Sequence, residues 1–290
     1  MPSPFTIRDL FDGATGPVWA DTMRSLELPH ILDADRSPEE PLSCHVNAPC
    51  RASLTTLSGL TRGIISVTLC DTFGSRCRII LFSTEGPNRW KVLGHIDQDN
   101  DWGVSVSSEP PFVIVNGQNR AGTGVWANFD DWYEITDRGL RRVLRTLNRG
   151  HDVDAKPALY FRGVFLHHKQ VGQQEVIEYL YRLKCEDYAT NLYLFDERRL
   201  VRFVRAKGAA EFEMDEKNSE LTDAEIDKFY FYDTDFTPAE FITFARASLL
   251  RLARSGNQPQ KSWLRNYLAR APASPIKSEL LRTLGAERTK

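Results

Sequence analysis

A train of short extended runs, beginning at Gly63, constrains this chain more than any other feature. "GIISVTLC" (63–70), "CRIILFST" (77–84), "RWKVLGHID" (89–97), "PFVIVNG" (111–117), "GVWANF" (124–129) and "DWYEITD" (131–137) are rich in β-branched and aromatic residues, with Gly, Pro, Asn, Asp or Ser between them. Such side chains suit a pleated, half-buried surface, and such separators supply turns. The linkers are shorter than the crossover of about a dozen residues that parallel pairing needs, so neighbours are expected to run antiparallel.

Strand signals resume later, in "ALYFRGVFLHH" (158–168), "EVIEYLYRLKC" (175–185), "TNLYLFD" (190–196), "RLVRFVRAKG" (199–208) and "AEFEMD" (210–215). "EVIEYLYRLKC" and "RLVRFVRAKG" alternate apolar and polar residues, which predicts one wet face. Between the blocks, "RGLRRVLRTLNRG" (138–150) reads as a brief amphipathic helix with Leu140, Val143, Leu144 and Leu147 on one face and Gly150 as its stop. The two blocks share an order of strand, Cys-acid, loop, strand, loop, strand, which is compatible with a duplicated meander.

After Asn218 the signals turn helical. "TDAE" (222–225) and "TPAE" (237–240) fit capping boxes, and Pro238 occupies a first helical position, where its missing N–H costs nothing. One helix is expected from there to about Arg254, with Phe241, Ala245, Leu249 and Leu252 inward and Gly256 as terminator. "KSWLRNYLA" carries Trp263, Leu264, Tyr267 and Leu268 on one stripe. "SPIKSELLRTLG" caps with Ser274 and turns Ile276, Leu280, Leu281 and Leu284 inward.

The expected fold class is therefore α+β, predominantly antiparallel β-sheet in residues 60–215 with a C-terminal helical segment. Three regions are expected. Residues 1–58 form a lead-in with one helix in "GPVWADTMRSLEL" and the Pro- and acid-rich loop "DADRSPEEPLS". Residues 59–218 form the β region, and 219–290 an amphipathic helical region packing on the sheet. At 290 residues, 41% apolar and 26% charged, the composition is that of an ordered globular chain.

Charge and length exclude some partners. Net charge is −2, which argues against nucleic acid as a partner of the chain as a whole. Residues 201–240 carry eleven acids against five bases, while 241–290 carry ten bases against two acids. The two segments are expected to neutralise each other, and the basic helices offer a contact for an acidic partner. No stretch reaches the ~18 apolar residues of a membrane span, so a soluble chain without membrane contact is expected. "MPSPFTIRDLFDG" has no apolar core behind a basic start, which makes the cytoplasm the default location, and export the alternative if a signal has been cleaved ahead of Met1.

Motifs for chemistry are sparse. "HIDQDNDWG" (95–103) places Asp97, Asp99 and Asp101 at alternate positions. An EF-hand loop needs glycine sixth and a bidentate carboxylate twelfth, but Trp102 and Ser108 stand there, so only a looser calcium site completed by a distant carboxylate fits. The bland alternative is a charged turn that discourages edge pairing. Cys44 and Cys50, with His45 between, and Cys70 and Cys77 are spaced too widely for zinc knuckles. Each pair suits a local disulfide or two buried thiols, and Cys185 is left single.

There is no G-x-S-x-G elbow, no H-E-x-x-H and no phosphate loop. His167 and His168 are adjacent on a strand, so at most one can enter a site. No catalytic residue is assigned. Trp102, Trp126 and Trp132 are the candidate ligand-binding residues, with Trp126 and Trp132 expected on neighbouring strands; Trp90 falls in the same block. The functional expectation is a non-enzymatic binding or protein-interaction module, without cofactor, for another protein or a small ligand. The alternative is a metal-assisted hydrolase with calcium held by Asp97, Asp99 and Asp101.

Overall fold

Hairpin follows hairpin through the middle of the chain, as the short Gly- and Asp-bearing linkers require. The computed structural model describes residues 51–60, 63–70, 76–86, 89–99, 104–120, 125–152, 156–230 and 236–285. Twelve strands occupy the described residues up to Met214: β1 (Arg51–Leu57), β2 (Ile64–Cys70), β3 (Arg76–Gly86), β4 (Arg89–Asp99), β5 (Ser105–Glu109), β6 (Phe112–Arg120), β7 (Val125–Thr136), β8 (Gly139–Asp152), β9 (Ala158–Val171), β10 (Gln174–Asp187), β11 (Leu192–Ala206) and β12 (Glu213–Met214). Five helices follow: α1 (Asp223–Tyr230), α2 (Pro238–Phe244), α3 (Arg246–Ser255), α4 (Gln258–Arg270) and α5 (Pro275–Gly285). Pairing is sequential, β1 to β4 in one sheet and β5 to β12 in another, so the α+β class holds. Among the described residues no helix is long and apolar enough to cross a membrane. The expected first helix and the acid-rich loop lie outside the described residues. β1 takes in residues that the sequence reading left in the lead-in.

The described residues divide into two compact units, those up to 119 with 129–146 in one, and those of 120–128 with 147–285 in the other. In the first, Leu57, Ile64, Ile79, Leu81 and Ile96 of β1 to β4 join Val106, Val113 and Val115 of β5 and β6 in one buried cluster. Each fully buried side chain of this size stabilises by about 1.5–3 kcal/mol relative to exposure. Cys77 is disulfide-bonded, and the residue across the ladder from it is Cys70.

The helix expected over 138–150 is strand β8. Leu140, Val143, Leu144 and Leu147 satisfy a helical stripe, but helix propensity differs among ordinary residues by only ~0.7 kcal/mol each, and pairing with both neighbours overrides it. The local signal for a turn was present: Thr136 Oγ1 accepts from Arg138 N and donates to Gly139 O, and Gly139 takes φ 113°, open to glycine. Two further breaks are absent. "GVWANF" and "DWYEITD" form the single strand β7, and "TNLYLFD" and "RLVRFVRAKG" the single strand β11. The second block of the supposed repeat thus holds two long strands where the first holds three.

In the second unit the inner face of β9 to β11 is aromatic. Phe161 and Tyr181 meet at 4.4 Å, Tyr179 stacks on Tyr181 at 5.9 Å, and Leu183 and Cys185 are fully buried between strands. The helices bury Phe241, Leu249, Leu264, Leu268, Leu280 and Leu284, with Phe195 of β11 stacked on Phe241. Leu281, expected inward, is 44% exposed.

The helix expected to run from Pro238 to Arg254 is two helices, α2 and α3, divided at Ala245. Arg199 of β11 explains the break: its Nη2 donates to the carbonyl of Phe244 at 2.7 Å, and its guanidinium lies 4.5 Å from the Phe244 ring centroid. A side chain that enters the backbone ladder kinks a helix there. The terminator Gly256 acts by space, since its φ is −64° and a Cβ would stand 2.4 Å from Leu252 O.

Both expected capping boxes form. Glu225 N donates to Thr222 Oγ1 while Thr222 N donates to Glu225, and Thr237 and Glu240 do the same at α2. A third, Asn257 with Gln260, opens α4. Bonds from Lys228 first, and then from Thr237, hold the Glu240 carboxyl down from its ordinary 4.5 to about 2. A lowered carboxylate stabilises fully above its unfolded pKa and loses that contribution as pH falls through the folded one. Thr237→Ala removes the N-cap of α2 and is expected to cost ~1 kcal/mol in urea unfolding at neutral pH. The Glu240 contribution is expected to fade between pH 4.5 and about 2, followed by NMR titration of its carboxyl.

Candidate functional site

The second unit carries its chemistry on the outer face of β8 to β11, because strand alternation sends every second side chain there. Register aligns four arginines across four strands: Arg149 of β8 faces Arg162 of β9, Arg162 faces Arg182 of β10, and Arg182 faces Arg198 of β11. All four are exposed. The next inward row, Gly150, Phe161 and Leu183, is buried, so the alternation is clean. Neighbouring strands are ~4.8 Å apart, and like charges placed directly opposite destabilise a sheet. Arg182 is partly compensated by Asp196, with Nε to Oδ1 at 2.8 Å, and this bond, above all, holds the Asp196 carboxyl below the usual range. No ion pair among the described residues engages Arg149 or Arg162.

Two residues along the strands lies a second outer row, aromatic and polar. His151 faces Tyr160, Tyr160 faces Lys184, and Lys184 faces Asp196. His151 stacks on Tyr160 at 4.0 Å between centroids, and Trp126 meets His151 edge-on at 6.0 Å. Arg149 lies 5.0 Å from the Trp126 ring, and Lys184 lies 5.3 Å from Tyr160 and 5.7 Å from Tyr193. Tyr188 bonds to Tyr160 and approaches His151 Nε2 at 3.3 Å. Tyr188 and Tyr193 remain 45% and 43% exposed, which leaves ring surface for a ligand. Burial, then Tyr160, pushes the Tyr188 phenol up, and burial, then Asp196, does so for Tyr193. Both stay protonated at neutral pH, which suits hydrogen bonding and stacking better than base or nucleophile chemistry.

The sequence-based candidates are dispersed. Trp126 belongs to this face. Trp132 is on the same strand β7, not a neighbouring one, and is fully buried edge-on against Phe112 at 5.6 Å. Trp102 and Asp101 lie outside the described residues, as do Cys44, His45 and Cys50. Asp97 and Asp99 end strand β4, and the Asp97 carboxylate is held by Arg78, with Nη2 to Oδ2 at 2.6 Å. Among the described residues no group of three His, Cys, Asp or Glu is placed to hold a metal. His167 pairs with Glu178 at 3.0 Å. Burial, then Asp187, Glu186 and Glu197, pushes the Cys185 thiol well up, the opposite of an activated nucleophile.

Two other polar clusters are internally satisfied. Buried Asp131 accepts from Arg145 Nε at 2.7 Å and from Gln98 at 3.1 Å. A cleft of about 560 Å3 between β11 and the helices is lined by Glu197, Arg199, Glu220, Arg246 and Arg251 among others, and Arg198 of the outer row also borders it. There Glu197 accepts from Arg199, Ser248 and Arg251, and Arg246 pairs with Glu279 at 2.8 Å. These bases of the helical end thus meet Glu197 and Glu279, where the acidic 201–240 stretch was the expected counterpart.

Sequence reasoning missed the arginine row. Arg149 sat in a segment read as helix, and the other three became a row only when register was known. The chain matches no protein family, no curated protein and no solved structure.

Proposed function

We propose that this chain is a non-enzymatic binding module, and that its ligand-bearing surface is the outer face of β8 to β11. One observation carries the reading: four exposed arginines stand directly opposite one another across consecutive strands. A sheet gains nothing from that alignment by itself, since like charges directly opposite one another destabilise it. An anionic ligand converts the same alignment into a set of forked, charge-assisted hydrogen bonds. Arg149, Arg162, Arg182, Arg198 and Lys184 outnumber Asp196 and Glu186 on this face, so the local field is positive although the whole chain carries −2.

Chromatography on immobilised phosphate- or sulfate-bearing polymers tests it. At moderate salt the chain is expected to be retained despite its net charge, and the double variant Arg149→Glu, Arg162→Glu to elute earlier. Passage of the native chain straight through every such matrix would remove the reading.

A further inference from the structure

We infer that the ligand of this face is a single-stranded nucleic acid, an inference that rests on the binding reading above. The two outer rows supply the two things such a strand offers. The arginine row, Arg149 to Arg198, crosses the strands as a line of forked donors for phosphates. The second row, His151, Tyr160, Lys184 and Asp196, runs parallel to it two residues further along each strand, or roughly 7 Å at the rise of an extended chain, and Tyr193 stands just beyond it, opposite Glu186. That offset is comparable to the reach from a phosphate across the sugar to its base. Tyr193, exposed with Lys184 beside it, and the His151–Tyr160 stack place π surface where bases would lie.

Single-strand binders combine a basic track with aromatic platforms in this way, often on an open sheet. A sulfated polysaccharide would need the basic row but would make less use of the aromatic one. A duplex keeps its bases stacked inside and would leave that row unused. The face is also built for tolerance of sequence, because stacking and phosphate contacts read no particular base.

The test is fluorescence anisotropy with the full chain and labelled 12-mers of oligothymidylate and oligouridylate. A heparin-derived oligosaccharide and a DNA duplex serve as the other arms. Single strands are expected to bind most tightly, with affinity falling steeply as salt rises. Arg162→Glu is expected to weaken binding by at least about tenfold and to flatten the salt dependence. Tyr193→Ala is expected to weaken it by about fivefold or more without changing the salt slope. Arg254→Glu, the same charge change on α3, is expected to leave affinity within about twofold. Arg162 and Tyr193 are both exposed, so unchanged melting curves will show that the variants are folded.

Binding of the oligosaccharide but not of the oligonucleotides, lost in Arg162→Glu, would overturn the nucleic-acid assignment and leave the binding face standing. Absence of binding in every arm would overturn both. Oligonucleotide binding that Arg162→Glu and Tyr193→Ala leave intact would place the ligand elsewhere and overturn the inference.

Discussion

Trp132→Ala is expected to lower unfolding stability by about 3–5 kcal/mol, the range for truncating a buried tryptophan. The indole has no exposed surface and meets the Phe112 ring edge-on at 5.6 Å. Its chain neighbour Asp131 is also fully buried and holds Arg145 and Gln98, so loss of the indole loosens the strand that positions that network. Alanine leaves a cavity that rigid strand pairing cannot close. Trp132→Phe keeps a ring in place and is expected to cost less than half as much. Urea unfolding monitored by circular dichroism, with the slope unchanged, measures both. A loss below about 1 kcal/mol for alanine would contradict the packing described for the first unit.

Arg199→Ala is expected to cost about 3 kcal/mol, near the lower end for breaking a buried ion pair. The Arg199 and Glu197 side chains are only 12% and 8% exposed. Arg199 joins Glu197 on its own strand to Phe244 O on α2 and lies over the Phe244 ring. Ser248 and Arg251 continue to hold Glu197 in the variant, which keeps the loss from the top of the range. Arg199→Lys keeps the charge but not the fork, and is expected to recover less than half of the stability. Hydrogen exchange should locate the effect, with amides on both sides of Ala245 exchanging faster and those of α5 unchanged. Equal protection in variant and native chains would mean that Arg199 does not hold the division at Ala245.

These effects separate what local pattern carries from what it omits. Alternation in "EVIEYLYRLKC" was readable because one face of β10 is buried and the other wet. Threonine caps were readable because a capping box is settled within four residues. The segment 138–150 was misread because its leucines suit either period, and the deciding term, pairing with strands on both sides, is not local. The division at Ala245 was invisible because its cause, Arg199, lies 45 residues away from Phe244 along the chain. The candidate face was equally hidden. Trp126 was named for being a tryptophan near a strand end, while the residues that give it neighbours, Arg149, His151 and Tyr160, come from two other strands.

The amino-acid order alone determined that the middle of this chain is antiparallel sheet and its end helical, because β-branched runs, short turns and capping boxes act over a few residues. Tertiary structure alone decided that Arg149, Arg162, Arg182 and Arg198 share one row and that Trp132 belongs to the interior. Register does this: a slip of one residue would turn each arginine to the opposite face, and the burial of Phe161, Leu183 and their inner-face neighbours opposes it.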